Sequence, residues 1–527
     1  MNKSLSSDSI NWLHVSLILL FAAVFRWILF NGPMGSDDIV YIARALQIAN
    51  GIWTPSDYNG AIRYGFNIPA GFFIYLFGIS EASANLWPFL CSLGEIIIVY
   101  LIALRIFGTK VAIFSAIILS TLPIHVAAST RIHVDSVASF FITLSFVLFF
   151  FANKNNSKVL FFLSGLATGF VFWCRELVIL YILAFFFYPL IFRQFTRCFI
   201  YFIIGGLIML LLHLALMWVI ADNPFHVFTS VLAQIDKDFI HGEKDDSPMY
   251  YFYYLFAKPV HTWLLGLTAM FGIVSVLKNR GWQTDSLYII YWALSLLIIF
   301  SFTPISFDPF RFVTKQSNYL IMYVAPLTIL AGYWFSKLSF HSMLVAAAVI
   351  LIGNLLLSSL EQQVIRVFVA NGQALVDYVE ANPEIQVYGS VNNANIAQAL
   401  KLTEGKTDVA SRISTLNQLQ QSVDSTKRQL AFIDRETLNW SANDRRINKV
   451  PPCWQLEKEL RPTGFGLGHT LMGVLLAVTK ALTLPDSVIN ALQRYYEPLP
   501  GQLYRFPPND PWCKAFIPAR LPTTIER

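Results

Sequence analysis

The stretch KVLFFLSGLATGFVFWCRELVILYILAFFFYPLIFR, residues 158–193, decides the class of this protein. Two almost wholly apolar runs, 159–174 and 177–192, close around one charged pair, Arg175-Glu176, and are bounded by Lys158 and Arg193. Each run approaches the roughly 17–25 residues that cross a hydrocarbon layer. With almost no loop between the runs, Arg175 has little water to reach. Its guanidinium must find Glu176, another acid or an anionic ligand, and phosphate is an apt partner for its planar fork.

The same pattern recurs outward from this hairpin. The chain has 527 residues, 55% hydrophobic, 15% aromatic and only 13% charged, against roughly a quarter charged in soluble domains. Apolar runs from Asn11 to Ser359 predict about eleven spans, at 12–30, 82–104, 111–128, 136–152, 159–174, 177–192, 199–220, 259–277, 286–302, 319–335 and 342–359. With the N-terminus inside, every cytoplasmic loop is basic: Arg105 and Lys110, Lys154 and Lys158, Arg193 and Arg197, Lys278 and Arg280, and Lys337. The formal net charge of +6 is thus spread over membrane loops, and no nucleic-acid partner is expected. The first run carries Arg26 and lacks a small-residue cleavage site, so it reads as a retained span.

The opposite, outward side receives loops 31–81 and 222–258 and everything after Glu361. Residues 1–361 therefore read as an all-α polytopic membrane domain, and 362–527 as a small extracytoplasmic α/β domain. Ile39 to Asn50 reads as an interfacial helix stopped at Gly51, and Tyr64-Gly-Phe-Asn-Ile-Pro-Ala-Gly71 as a re-entrant or looping element. In the tail, Ile385 to Tyr388 and Leu430 to Ile433 are β-like, while Gln373 to Glu380, Ile396 to Leu400 and Ile413 to Gln421 carry helical patterns. Leu467 to Leu484 is apolar, but His469 and Lys480 favour an amphipathic or buried helix over a twelfth span. Of the five cysteines, none has zinc spacing. Cys91, Cys174 and Cys198 read as packing residues, while Cys453 and Cys513 share an outward, oxidising compartment and are candidates to pair.

Ionisable residues at the outward ends of spans carry the chemistry, because charge near lipid is costly. Four places qualify. Asp37 and Asp38, followed by Tyr41 and Arg44, either cap a helix or form a repelling pair in which one carboxylate becomes a proton acceptor. Arg131, His133 and Asp135 lie where the third and fourth spans meet; the plain reading is a short-loop ion pair between Arg131 and Asp135. Arg175 and Glu176 form the third place. Asp308, Arg311 and Lys315 form the fourth, where two cations either snorkel to water or bind an anion. His226 and His241 with Asp236, Asp238, Glu243, Asp245 and Asp246 are too irregularly spaced for a metal site and read as a solvated loop.

In that order and topology the four places resemble the GT-C superfamily of membrane glycosyltransferases, in the branch of protein O-mannosyltransferases and lipid A aminoarabinose transferases. Ser36-Asp-Asp-Ile-Val-Tyr-Ile-Ala-Arg44 is similar to the family's first outward loop and Ser129-Thr-Arg-Ile-His-Val-Asp135 to its second acidic motif. Gly165 to Glu176 resembles its glycine-rich span, with Arg175 where Lys is common. Tyr319-Leu-Ile-Met-Tyr-Val-Ala-Pro326 resembles its late span, with Asn318 where Arg is usual. The resemblance covers roughly residues 20–335 and implies inverting transfer of sugar from a polyprenyl-phosphate donor to a hydroxyl on a lipid, glycan or protein acceptor. It implies Asp37 as general base, Asp38 or Asp135 positioning the donor or tuning that base, and Arg175 with Arg311 or Lys315 on the phosphate. Arg131, His133, Glu176 and Tyr41 complete the candidate site. A divalent metal is left open as a cofactor, no metal ligand is assigned, and the expected location is a bacterial inner membrane with a periplasmic catalytic face. A transporter or lipid flippase is the alternative of another class, but its sites lie near mid-membrane on broken helices and related repeats, whereas these charges gather at one face.

Overall fold

The computed structural model describes residues 10–241, 247–281, 283–308, 310–420, 428–437, 449–463 and 466–506. The protein is mainly helical, with a small sheet near its C-terminal end. Two compact units form: Met1–Gly32, Ala43–Gly78 and Ala82–Glu361 make the first, and Pro33–Ile42, Ile79–Glu81 and Gln362–Arg527 the second.

In the first unit the apolar runs become helices. Six described helices are long and apolar enough to cross a membrane: Glu81–Phe107, Asp135–Asn155, Phe199–Ala221, Thr284–Phe302, Ser317–Lys337 and Phe340–Ala381. The pair Thr109–Thr121 and Pro123–Ser129, bent by 60°, makes a seventh if counted as one span. The bend falls where Pro123, which has no N–H to donate, restarts the helix. Trp12–Ile28, Tyr64–Phe77, Lys158–Cys174 and Glu176–Phe192 are apolar but shorter. An integral membrane protein follows from these helices.

The glycine-rich run explains one close packing. A Cβ at Gly165 would meet the carbonyl of Phe202, and one at Gly169 would meet Met209. The Lys158–Cys174 and Phe199–Ala221 helices thus approach through small residues one turn apart, the usual way helices pack in lipid. Tyr64–Phe77, which includes the stretch read as a re-entrant or looping element, is a continuous helix. Pro69 removes the N–H that would bond the Gly65 carbonyl, and the indole of Trp87 donates to that carbonyl instead at 3.1 Å. Strands β1 (Pro304–Phe307) and β2 (Phe310–Phe312) form an antiparallel hairpin that leads into the late span.

The second unit is built on a five-stranded sheet ordered β4-β3-β5-β7-β6. β3 (Ile385–Gly389) lies parallel to β4 (Ile413–Thr415) and β5 (Arg428–Ile433), while β7 (Gly501–Arg505) is antiparallel to β5 and β6 (Gln455–Leu460). The helix Val391–Glu404 connects β3 to β4, and Ile396 and Leu400 pack with Val387, Leu430, Phe432 and Leu503 in the core. The start of the run expected to be helical, Ile413–Thr415, is instead an edge strand, followed by one 3-10 turn to Gln420. Its β-branched Ile413 and Thr415 suit the pleat, and the backbone partners offered by β3 outweigh a weak local pattern.

Two further differences follow from tertiary context. Phe340–Ala381 is one helix of 42 residues, about 63 Å long, where the composition change near Glu361 had suggested a span and a separate helix. No proline interrupts it, so polarity changes while the helix continues. Pro33–Ile42, which holds Asp37, Asp38 and Tyr41, is part of the second unit. There Met34 packs against the sheet core, and Gly35, at φ +75°, lies where any side chain would strike Ile396. Leu467–Ala481 is a 15-residue helix with Gly468, Met472, Leu476 and Thr479 buried and Val474 and Val478 exposed. Cys453 is disulfide-bonded; its expected partner Cys513 lies outside the described residues. Cys91, Cys174 and Cys198 are free and buried.

Candidate active site

Asp135 opens the Asp135–Asn155 helix and is 1% exposed. A carboxylate in a helix's first turn is favoured by the backbone N–H groups there, but burial demands further partners. Arg175 supplies the main one, with Nη1 at 2.9 Å from Oδ1. Oδ2 receives the Asn318 side-chain amide at 2.6 Å and lies 3.0 Å from Nδ1 of His133. The short-loop pair suggested by spacing, Arg131 with Asp135, does not form. Arg131 donates to the Ala127 carbonyl at 2.9 Å and lies 3.6 Å from Glu361.

Arg175 reaches Asp135 because the Lys158–Cys174 helix stops one residue earlier. Its backbone is extended at φ −156°, ψ 106°, before the 3-10 turn Glu176–Tyr181 begins. Its Nη2 donates to Oε1 of Gln316 at 3.0 Å, and its guanidinium lies over the Tyr319 ring at 4.7 Å. The charge is thus held in place by an acid, an amide and an aromatic face. Glu176 turns elsewhere and pairs with Arg63 at 3.4 Å. The sequence reading did not single out Arg63, Gln316 or the role of Asn318. The one available signal was the family comparison at Asn318, where an amide replaces an expected cation and here donates to Asp135.

Gln316 and Asn318 follow directly from the segment that carries the other two cations. Arg311 sits on β2 opposite Ser306. Lys315 is 2% exposed, its ammonium donating to the Val313 carbonyl at 2.8 Å and lying 5.4 Å from the Phe312 ring.

In the second unit, Asp37 and Asp38 open the Asp37–Ala49 helix. Asp38 accepts from the backbone N–H of Met34 at 2.6 Å, Gly35 at 3.2 Å and Ser36 at 2.6 Å. Burial raises its pKa, and those backbone donors oppose the shift. Asp38 therefore staples the loop that precedes the helix, while Asp37, half-buried, takes none of those three bonds. Tyr41 is fully buried.

Among the described residues no group of three or more His, Cys, Asp or Glu side chains is gathered as a metal site would require. Both Asp135 oxygens already face Arg175, His133 or Asn318. The acidic stretch around 236–246 lies outside the described side chains.

Residues 67–218, which include Asp135, Arg175 and Glu176, match the dolichyl-phosphate-mannose-protein mannosyltransferase family. No curated protein matches the sequence. Among solved structures, ArnT from Cupriavidus metallidurans in the apo state is similar, with 17% identity over 82% of this chain and 94% of that one and a TM-score of 0.54. The same enzyme bound to undecaprenyl phosphate is similar at 15% identity, over 86% and 97% of the two chains, with a TM-score of 0.52. The archaeal oligosaccharyltransferase AglB from Archaeoglobus fulgidus, in complex with an inhibitory peptide and a dolichol-phosphate, gives 11% identity, 84% and 72% coverage and a TM-score of 0.52. The family match over residues 67–218 and the likeness in fold to ArnT and AglB agree with the resemblance to the GT-C superfamily of membrane glycosyltransferases.

Proposed function

We propose that this protein moves a sugar from a polyprenyl-phosphate carrier to a hydroxyl acceptor at the outward face of the membrane, with inversion at the anomeric carbon. The observation that carries the reading is the Arg175 guanidinium, buried at the end of the Lys158–Cys174 helix and held by Asp135, Gln316 and Tyr319. Such a cation is suited to a lipid-linked phosphate. The likeness to ArnT bound to undecaprenyl phosphate and to AglB with a dolichol-phosphate supports the same class of ligand.

The chemistry needs two things, because the phosphate is already a good leaving group. The acceptor hydroxyl must lose its proton as its oxygen attacks the anomeric carbon, and the departing phosphate must be held as the carbon–oxygen bond to it breaks. Asp37 takes the proton. Asp38, whose carboxylate is engaged by backbone amides, fixes the loop that presents Asp37. Arg175, assisted by Arg311 or Lys315, holds the phosphate, and Asp135 orients Arg175. His133, 3.0 Å from Asp135, supports that carboxylate. The outward face is taken as periplasmic, in a bacterial inner membrane, from the basic loops on the other side.

Purified protein given fluorescent polyprenyl-phosphate sugars and candidate acceptors tests the reading. Transfer supports it, whereas transbilayer movement without transfer points to a flippase. A single cysteine at position 37 or 135 adds a topological test. Labelling of the two from opposite sides of the membrane would end the proposal.

A further inference from the structure

A second charged cluster lies among the apolar helices of the first unit, at residues given no role above. Arg26, Glu95 and His125 are each 0–1% exposed. Arg26 Nη2 lies 2.7 Å from His125 Nδ1, and His125 Nε2 lies 3.2 Å from Glu95 Oε2. Arginine can only donate, so Nδ1 accepts and the hydrogen on Nε2 points at Glu95. A neutral imidazole therefore bridges a buried cation and a buried carboxylate. The remaining guanidinium contacts, to Ser92 Oγ at 3.1 Å and the carbonyls of Ala22, on its own helix, at 3.1 Å and Ser120 at 3.0 Å, tie Arg26 to two neighbouring helices.

The other Glu95 oxygen faces the helix that begins with Asp135. Oε1 accepts from Ser139 Oγ at 2.9 Å and Thr143 Oγ1 at 2.7 Å. Asp135, Ser139 and Thr143 are spaced by four, so they stack on one face. Ser139 Oγ also lies 3.0 Å from the Ile321 carbonyl, three residues beyond Asn318, whose amide holds Asp135. The Glu95 carboxylate is thus placed one turn below both elements that fix Asp135. Charge buried among apolar helices is expensive and usually retained for a purpose, and apolar residues could fill this volume if packing were the only demand.

We propose that Glu95, backed by His125 and Arg26, is a positioning residue for the Asp135–Arg175 pair. It clamps Ser139 and Thr143 and so sets the height and rotation of the helix that carries Asp135. The inference rests on the reading of that pair as the carrier-phosphate site.

The test uses the full chain in detergent, with undecaprenyl phosphate as probe. Ser139→Ala with Thr143→Val cuts the clamp while leaving the buried Glu95, His125 and Arg26 to one another. The expected result is about a tenfold weaker affinity, since small misplacements of an oriented group are felt strongly, with recovery in Ser139→Thr. Hydrogen exchange supplies a readout independent of lipid. Amides of 135–140 should exchange faster in the double variant, while those of the Thr284–Phe302 helix stay as in the parent. Uniform loosening, or no change at 135–140, overturns the clamp. So does local loosening with parental affinity when Arg175→Gln, tested alongside, has lost affinity. If Arg175→Gln itself binds like the parent, the phosphate reading fails, and exchange alone then decides whether Glu95 positions this helix.

Discussion

Replacing Arg175 by Gln should weaken binding of undecaprenyl phosphate by roughly 10- to 140-fold, the range given by about 1.5–3 kcal/mol for a hydrogen bond to a charged group at about 1.4 kcal/mol per tenfold. The fold should survive, because Asp135 keeps the Asn318 amide at 2.6 Å and His133 at 3.0 Å. The cost of removing one partner of a buried pair is then at the low end of about 3–5 kcal/mol. Arg175→Lys should fall between, since it retains charge but loses the fork that meets Asp135 and Gln316 together. Asp135→Asn gives the opposite sign for binding. A carboxylate about 6 Å from an incoming phosphate opposes it by about 3 kcal/mol at an effective dielectric of about 20. Removing that charge should strengthen lipid binding tenfold or more while transfer does not improve, because the orienting partner of Arg175 is gone. Titration by native mass spectrometry in a non-ionic detergent, with a thermal melt of each variant, measures both effects. Parental affinity in a normally folded Arg175→Gln would refute the argument, and equal losses in Arg175→Gln and Asp135→Asn would make the pair structural.

Three other outcomes are expected. Asp37→Asn should insert normally and lower transfer by about 10²- to 10⁴-fold, the usual contribution of a general base, in a turnover assay with a fluorescent donor; near-parental turnover would remove Asp37 from that role. Gly165→Ala should destabilise the protein by about 1–3 kcal/mol through overpacking, because the new methyl meets the Phe202 carbonyl, and a lowered melting temperature would register it. Burial raises the pKa of Asp434, against hydrogen bonds from Asn371, the Glu436 backbone and Thr437. Its contribution to stability is therefore present below the ordinary carboxylate pKa and lost as pH rises through the raised folded value. Melting curves of the parent should decline over that interval, and those of Asp434→Asn should lack this part of the slope.

The sequence by itself determined that the chain crosses a membrane repeatedly, because hydrocarbon selects long apolar helices and each run announces itself locally. It also marked Asp135, His133 and Arg175, since charge at the edge of an apolar run is conspicuous wherever its partner lies. Which groups meet was decided only by tertiary packing. Arg131 stands four residues from Asp135 yet pairs with Glu361, while Asp135 meets Arg175 and Asn318, distant in sequence. The same limit hid Arg63 beside Glu176 and Glu95 beside His125. It also hid β4, whose hydrogen bonds come from β3, and the membership of Pro33–Ile42 in the second unit. Hydropathy is a property of a segment and can be read along the chain. An ion pair or a strand ladder depends on two segments whose approach is set by the packing of all the others.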